Sequence, residues 1–276
     1  MNLQAKKQQD IGTVISQECL ASGVYSMWIE TKIAYGAKCG QFVSIYLNDE
    51  GRILPRPISL CEINPKVPAI RVVYRVAGEG TKQLSNMKTG DKIKLLGSLG
   101  NGFPVYTDKK VMLIGGGIGV PPMLGTAKVY CDALTDCTIC GTDIEPKDKP
   151  IAVMGYRDNQ LFLKEELESN ANLYIATDDG SVGTHGTVID CIKENNLEAD
   201  VILACGPKPM LRAVKEYALE KNVLCYVSME ERMACGIGAC LACVCKTTDV
   251  DDHSKVKNAR VCADGPVFLS TEVDLS

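Results

Sequence analysis

Five cysteines fall within the last 42 residues of this chain, and four of them stand at a spacing that can hold metal. In Glu231-Arg232-Met233-Ala234-Cys235-Gly236-Ile237-Gly238-Ala239-Cys240-Leu241-Ala242-Cys243, three cysteines follow a C-x4-C-x2-C pattern, and Cys262 comes after eighteen intervening residues. This is the plant-type spacing of a [2Fe–2S] cluster. Three thiolates must converge on two irons within a few ångströms, so the connecting loop has to wrap the cluster closely and aim amides at its sulfides. Gly236 and Gly238 permit that wrap. The alternative is four thiolates around a structural zinc, but zinc sites favour two short C-x2-C pairs, and here one short pair is joined to an x4 gap. Cys245 is set aside as a structural thiol, because strand-like alternation through Val244-Cys245-Lys246 turns it away from the loop. Cys137 and Cys140 form a second short pair, within a polar, aperiodic stretch from Thr135 to Lys149, and read as ordinary reduced thiols.

Two stretches suit a flavin nucleotide. Arg56-Pro57-Ile58-Ser59 begins a strand-like run and projects a guanidinium and a hydroxyl beside a rigid proline. An arginine fork binds phosphate bidentately, and a hydroxyl can reach the N5 edge of a flavin. Downstream, Val73-Tyr74-Arg75-Val76-Ala77-Gly78-Glu79-Gly80-Thr81 reads as a strand entering a Gly-rich turn, which can offer successive backbone N–H groups to a pyrophosphate. A third stretch, Gly115-Gly116-Gly117-Ile118-Gly119, follows a buried strand and precedes a helix starting near Pro121-Pro122. It departs from G-x-G-x-x-G, since Val120 stands where the third glycine would be. Other strand ends carry Gly155-Tyr156-Arg157, Thr177-Asp178-Asp179-Gly180 and Cys205-Gly206-Pro207. All of these fall at the carboxyl edge of a parallel sheet, where such sheets bind ligands. Hydride transfer needs no acid–base pair, so Asp178 and Asp179 read as ribose contacts or turn formers, and His185 and His253 as solvated imidazoles.

The elements that position these residues change period near residue 105. Before it, six strand-like runs (Gly12 to Leu20, Val24 to Glu30, Phe42 to Leu47, Ile58 to Ile63, Ala69 to Val76, Asp91 to Leu96) without a long helix predict a small antiparallel barrel. After it, apolar runs at Val111 to Ile114, Ile151 to Met154, Leu173 to Ala176, Val201 to Cys205 and Val223 to Val227 alternate with helical stretches, the signature of an α/β doubly wound parallel sheet. The clearest helix is Pro209 to Lys221, with Met210, Leu211, Val214, Tyr217 and Ala218 on one face. The expected organisation is a barrel over 1–104, an α/β domain over 105–227 and a small cluster domain over 228–276. The chain has 276 residues, and its net charge of −4 is scattered without a basic stripe, so nucleic acid is not an expected partner. No apolar run approaches the ~18 residues of a membrane span, and the first thirty residues lack an export pattern. Fourteen cysteines without an export signal read as reduced thiols, hence a cytoplasmic protein.

Together, R-P-x-S on a barrel, G-G-G-x-G opening an α/β domain, C-G-P at its fourth strand and the C-terminal C-x4-C-x2-C…C resemble the ferredoxin-NADP reductase superfamily. Met229 to Cys243, with Cys262-Ala263-Asp264-Gly265-Pro266-Val267-Phe268, resembles its electron transfer subunit family of dihydroorotate dehydrogenase B. The resemblance implies that Arg56, Pro57, Ser59, Tyr74, Val76, Gly80 and Thr81, with their motif neighbours Ile58, Arg75 and Gly78, hold FAD. It implies that Gly117, Gly119, Asp178 and Cys205, with Gly115 and Gly206, hold or face NAD(H), with Cys205 near the nicotinamide. Cys235, Cys240, Cys243 and Cys262 would ligate the cluster. The implied partner is an FMN-containing dihydroorotate dehydrogenase catalytic subunit of pyrimidine (UMP) biosynthesis, in a heterotetramer of two copies of each. Two departures bear on the partner surface: the stretch around Cys137 and Cys140 and the gap from Cys243 to Cys262 are both long.

A hydride carries two electrons and an iron–sulfur cluster accepts one, so the relay needs an intermediary with three oxidation states, which flavin has. Three other readings share parts of this pattern. One is the small subunit of a flavin-based ferredoxin-NADP transhydrogenase or sulfide dehydrogenase, another a stand-alone NADH reductase serving an oxygenase, and the third a zinc-stabilised binding module. No cationic cluster for a 2′-phosphate follows the second or third α/β strand, Arg157 being the one candidate, so NADH is the expected nucleotide. The ratio of kcat/KM for NADH and NADPH checks this: a ratio well above one is expected, and a preference for NADPH contradicts it.

Overall fold

The computed structural model describes residues 8–47, 53–64, 66–135, 149–250 and 255–276. Cys137, Cys140 and His253 lie outside them. The chain divides into two compact units: 1–102 with 229–267 and 272–274, and 103–228 with 268–271 and 275–276.

In the first unit, β1 (Gln8–Ala21), β2 (Val24–Glu30), β3 (Phe42–Tyr46), β4 (Arg56–Asn64), β5 (Ala69–Arg75) and β6 (Lys92–Leu99) close into an antiparallel barrel in the order β1-β2-β5-β4-β3-β6. Strand alternation decides which side chains fill it. Met27 and Ile29, Val43 and Ile45, Ile70, Val72 and Tyr74, and Ile93 and Leu95 point inward and are essentially unexposed. The turn after β5 continues into a short helix, α1 (Glu79–Ser85), whose Leu84 joins this core. Outside the barrel wall, Arg71 is buried opposite Trp28 of β2. Its guanidinium donates to Glu62 at 2.6 Å and to Ser26 Oγ at 2.9 Å, with Glu18 at 3.5 Å.

The second unit carries the parallel sheet. β7 (Val111–Gly116) leads through a 3-10 turn, Gly117–Gly119, into α2 (Val120–Thr135). Then follow β8 (Ile151–Tyr156), α3 (Lys164–Asn170), β9 (Asn172–Thr177), β10 (Thr184–His185), α4 (Val188–Glu194), β11 (Val201–Cys205), α5 (Lys208–Lys221) and β12 (Leu224–Ser228). The sheet order is β10-β9-β8-β7-β11-β12, so the chain starts in the middle, winds one way and then returns to the other side of β7. Leu211, Val214, Tyr217 and Ala218 bury one face of α5, and its C-cap residue Asn222 is left-handed at φ 52°. The last three strands are short: β13 (Val244–Lys246) and β14 (Asn258–Arg260) pair antiparallel, and β15 (Val267–Leu269) adds to the sheet beside β12. Among the described residues, no helix is long and apolar enough to cross a membrane.

The six expected barrel strands and the five expected parallel strands are all present; the difference lies at 79–85, expected as a turn and folded as α1. Removing one partner of a buried ion pair costs about 3–5 kcal/mol, and Glu18 partly compensates here. Glu62→Ala is therefore expected to destabilise the barrel by about 3 kcal/mol, read from urea unfolding followed by fluorescence of Trp28, the sole tryptophan. A loss below about 1 kcal/mol would show that Arg71 does not depend on Glu62.

Candidate metal centre and nucleotide sites

The loop from Cys235 to Cys243 turns on Gly236 and Gly238, at φ 69° and 86°, and on Leu241 at φ 58°. A β-carbon on Gly238 would press against the Ala263 methyl, so glycine is required there for space as well as for conformation. The folded loop aims its amides at sulfur. Ile237 and Ala239 donate to Cys235 Sγ at 3.4 and 3.3 Å, Gly238 to Cys262 Sγ at 3.1 Å, and the Cys262 amide to Cys243 Sγ at 3.4 Å. The long gap between Cys243 and Cys262 is closed by β13 and β14: Val244 faces Arg260, and the Val261 amide donates to the Cys243 carbonyl at 2.9 Å. Arg260 forks onto Asp264 at 2.8 and 2.9 Å and donates to the Gly238 carbonyl at 3.2 Å, tying this ladder to the loop.

The thiols come together as two pairs. The Cys240 thiol stands close enough to Cys235 to lower its pKa, and the Cys243 thiol close enough to Cys262 to raise its pKa. That is what a two-iron cluster asks of a protein, since each iron takes two thiolates and the bridging sulfides complete its tetrahedron. A single zinc would ask for one convergent set of four. The charge state fits as well. Burial opposes ionisation of Cys235, but the Ile237, Cys240 and Ala239 hydrogen bonds outweigh it and hold the thiol at about 6. Burial and the Cys243 thiol push Cys262 up to about 12, so its proton is one that metal must displace. Cys245 lies on β13 opposite Ala259, buried, with burial raising its pKa.

This loop is seated on the barrel within the same unit. A β-carbon on Gly236 would stand 3.0 Å from Ser44 Oγ on β3 and 3.1 Å from Leu99 Cδ1 on β6. The Asn101 side chain donates to the Val267 carbonyl at 2.8 Å and accepts from the Val267 amide at 2.9 Å.

The flavin candidates share the next strand. Pro57 pairs with Ser44, Ile58 with Val43 and Ser59 with Phe42. Arg56 donates to the Leu54 carbonyl at 2.7 Å and lies against Gly80, where any β-carbon would overlap its guanidinium. The first turn of α1, whose amides have no partner within the helix, is thus set beside a cation. Two details differ from expectation. The Thr81 hydroxyl accepts from the Ala77 and Gly78 amides at 2.9 and 3.2 Å, so these two N–H groups are taken by the turn rather than offered outward. Tyr74 is a core residue, stacked on Tyr25 with its hydroxyl donating to Gln17 at 2.9 Å, leaving only its backbone for a ligand. Arg75 and Gly78 are exposed, and Val76 is half-buried.

In the sheet, Gly115 is in register with Cys205, and Gly119 packs so tightly on the Cys205 carbonyl that a β-carbon would overlap it. Gly117 has φ 53° and open space where a side chain would be. Gly206 lies under Met210. These residues stand where the winding reverses, between β7 and β11, the topological switch point at which doubly wound sheets bind nucleotides. Asp178 is not brought to that point. It stands beyond β9, two strands from β7, about 10 Å away at sheet spacing. Asp179 is a turn former: its carboxylate accepts from the Ser181 amide at 2.9 Å, and hydrogen bonding to Ser181 holds its pKa low.

Ser44 on β3 is a further feature of the site; its one signal in the sequence is a polar residue at an outward-facing position in an apolar strand.

Barrel, parallel sheet and cysteine-bearing appendage together define a reductase of the ferredoxin-NADP reductase class. A solved NADH-dependent reduced ferredoxin-NADP oxidoreductase, described for flavin-based electron bifurcation, superposes with a TM-score of 0.82 at 27% identity, over 96% of this chain and 90% of that one. The ferredoxin reductase of carbazole 1,9a-dioxygenase shares the fold at a TM-score of 0.65 and 21% identity, over 78% of this chain and 66% of its own. The family model for the iron-sulfur cluster binding domain of dihydroorotate dehydrogenase B matches residues 230–274. The dihydroorotate dehydrogenase B (NAD(+)) electron transfer subunit of Bacillus velezensis is 41% identical over 95% of this chain and 98% of its own length. That of Fusobacterium nucleatum is 39% identical over 95% and 97%. The chain belongs to the family of dihydroorotate dehydrogenase B electron transfer subunits.

Proposed function

We propose that this chain relays electrons between NAD(H), FAD and a [2Fe–2S] cluster, to or from a dihydroorotate dehydrogenase catalytic subunit in pyrimidine biosynthesis. The observation that carries the reading is the loop whose amides are turned onto the sulfurs of Cys235, Cys243 and Cys262, seated on the barrel that also bears Arg56-Pro57-Ile58-Ser59. Bound FAD supplies the exchange between the two-electron chemistry of the nicotinamide and the one-electron chemistry of the cluster.

The chain's own residues bind and orient. Arg56 and the first turn of α1 take the flavin pyrophosphate, with the backbone of Tyr74, Arg75 and Val76 alongside. Pro57, Ile58 and Ser59 line the ring, with the Ser59 hydroxyl toward its N5 edge. Gly115, Gly117, Gly119 and Gly206 leave a side-chain-free surface beside Cys205 at the switch point for the nicotinamide nucleotide, and Asp178, two strands away, takes a ribose at the far end of the extended nucleotide. Four thiolates hold the cluster, and their amide donors spread its negative charge. The modules are 1–104 for FAD, 105–227 for NAD(H) and 228–276 for the cluster. Cys240 is exposed, and Ile237 and Leu241 beside it are apolar and exposed, a surface suited to a protein partner. That partner carries FMN, in a heterotetramer of two copies of each chain, and the free cysteines suit the cytoplasm.

The neighbour at TM-score 0.82 supports a second reading, a small subunit delivering electrons to a ferredoxin-NADP system. Reconstitution separates the two. Cys240→Ser is expected to leave NADH-driven bleaching of the flavin near wild type and to abolish transfer to the dihydroorotate dehydrogenase partner. Equal loss of both activities would make the cluster structural, and transfer by the wild type to ferredoxin alone would favour the second reading.

A further inference from the structure

Ser44 lies in the middle of β3, between Val43 and Ile45, whose side chains fill the barrel. Alternation therefore turns its hydroxyl out of the barrel. Outward here does not mean toward water: Ser44 is fully buried beneath the cluster loop, its oxygen 3.0 Å from where a β-carbon on Gly236 would stand, next to Cys235. Among the described residues, Ser44 Oγ is the one buried side-chain oxygen or nitrogen without a hydrogen-bond partner. A hydroxyl buried and unpaired costs about 1–3 kcal/mol, and native proteins leave few such groups without a use. The surroundings deny it routine partners. The residue facing it on β4 is Pro57, which has no N–H, and the one facing it on β6 is Leu96, whose side chain is apolar. The neighbouring amides of Ile237 and Ala239 are already turned toward Cys235 Sγ.

We propose that Ser44 is a tuning residue for the cluster: its hydroxyl donates a hydrogen bond to an inorganic sulfide of the cluster and raises the reduction potential. This rests on the cluster reading above. A reduced cluster carries one more negative charge than an oxidised one, so a donor to sulfur stabilises the reduced form more. The placement has a second consequence. Ser44 pairs with Pro57, so the donor stands on the strand adjoining the flavin segment.

The test is an EPR-monitored redox titration of the purified FAD- and iron-loaded protein, wild type against Ser44→Ala and Ser44→Thr. Ser44→Ala is expected to keep iron, sulfide and FAD at wild-type content and to lower the cluster's reduced-to-oxidised ratio about tenfold at a fixed ambient potential. That corresponds to a midpoint about 59 mV lower for a one-electron couple, with the flavin midpoint unmoved. Ser44→Thr restores the cluster midpoint. A reading independent of any variant comes from ENDOR of the reduced wild-type cluster after brief exposure to D2O, which exchanges a hydroxyl before buried amides: one strongly coupled proton is expected to be replaced. An unchanged cluster midpoint in Ser44→Ala, a shift confined to the flavin, or no rapidly exchanging coupled proton overturns the assignment to the cluster. A wild-type protein with no EPR signal on reduction would instead overturn the cluster itself, so the two failures are distinguishable.

Discussion

The structure depends on a conflict that the cysteine loop resolves: thiolates must be brought together and partly buried, although burial resists their charge. Backbone amides supply the answer. The loop turns at Gly236 and Gly238 so that the N–H groups of Ile237, Gly238 and Ala239 face sulfur instead of each other's carbonyls. Cys235 accepts two of them, which lowers its pKa, whereas burial and the Cys243 thiol raise that of Cys262. The β13–β14 ladder and the Arg260–Asp264 fork bring Cys262 back across a gap of eighteen residues. A short contact network thus converts two distant stretches of chain into two sulfur pairs.

The barrel adds rigidity where positions matter most. β3 and β6 carry the seat of the cluster loop, and β4, hydrogen-bonded to β3, begins with Arg56-Pro57-Ile58-Ser59. The two groups of ligand-directed residues are therefore spaced by strand geometry, which a packed core holds more firmly than a surface loop would. In the parallel sheet the logic is subtraction: Gly115, Gly119 and Gly206 remove side chains at the switch point so that backbone can approach closely, as Gly119 does to Cys205.

Much of this was legible beforehand because period-2 alternation in the barrel and buried apolar runs in the sheet are strong local signals. Val24 to Glu30 and Val201 to Cys205 form strands with the bounds that their patterns suggest. What escaped was decided by tertiary contacts. The residues of α1 show a single buried leucine, too little periodicity to announce a helix, and its Thr81 cap consumes amides that the glycines seemed to leave open. Tyr74 shares the inward face of β5 with Ile70 and Val72, so its core role was readable from alternation, yet its place in a ligand motif drew attention to the side chain. β14, Asn-Ala-Arg, has no apolar signature, and only its ladder with β13 makes it a strand. Ser44 could not be flagged from sequence, because a serine in an outward strand position ordinarily faces water, and the loop that buries it lies nearly two hundred residues away.

The account stands on two irons shared between the pairs Cys235–Cys240 and Cys243–Cys262. Mössbauer spectroscopy of iron-57-enriched protein, with iron and acid-labile sulfide quantified on the same sample, tests it directly. The expected result is two tetrahedral sulfur-ligated irons and two sulfides per chain, coupled antiferromagnetically when oxidised and with one iron becoming ferrous on reduction. One metal ion per chain without labile sulfide, or iron content that survives replacement of Cys262, would contradict it.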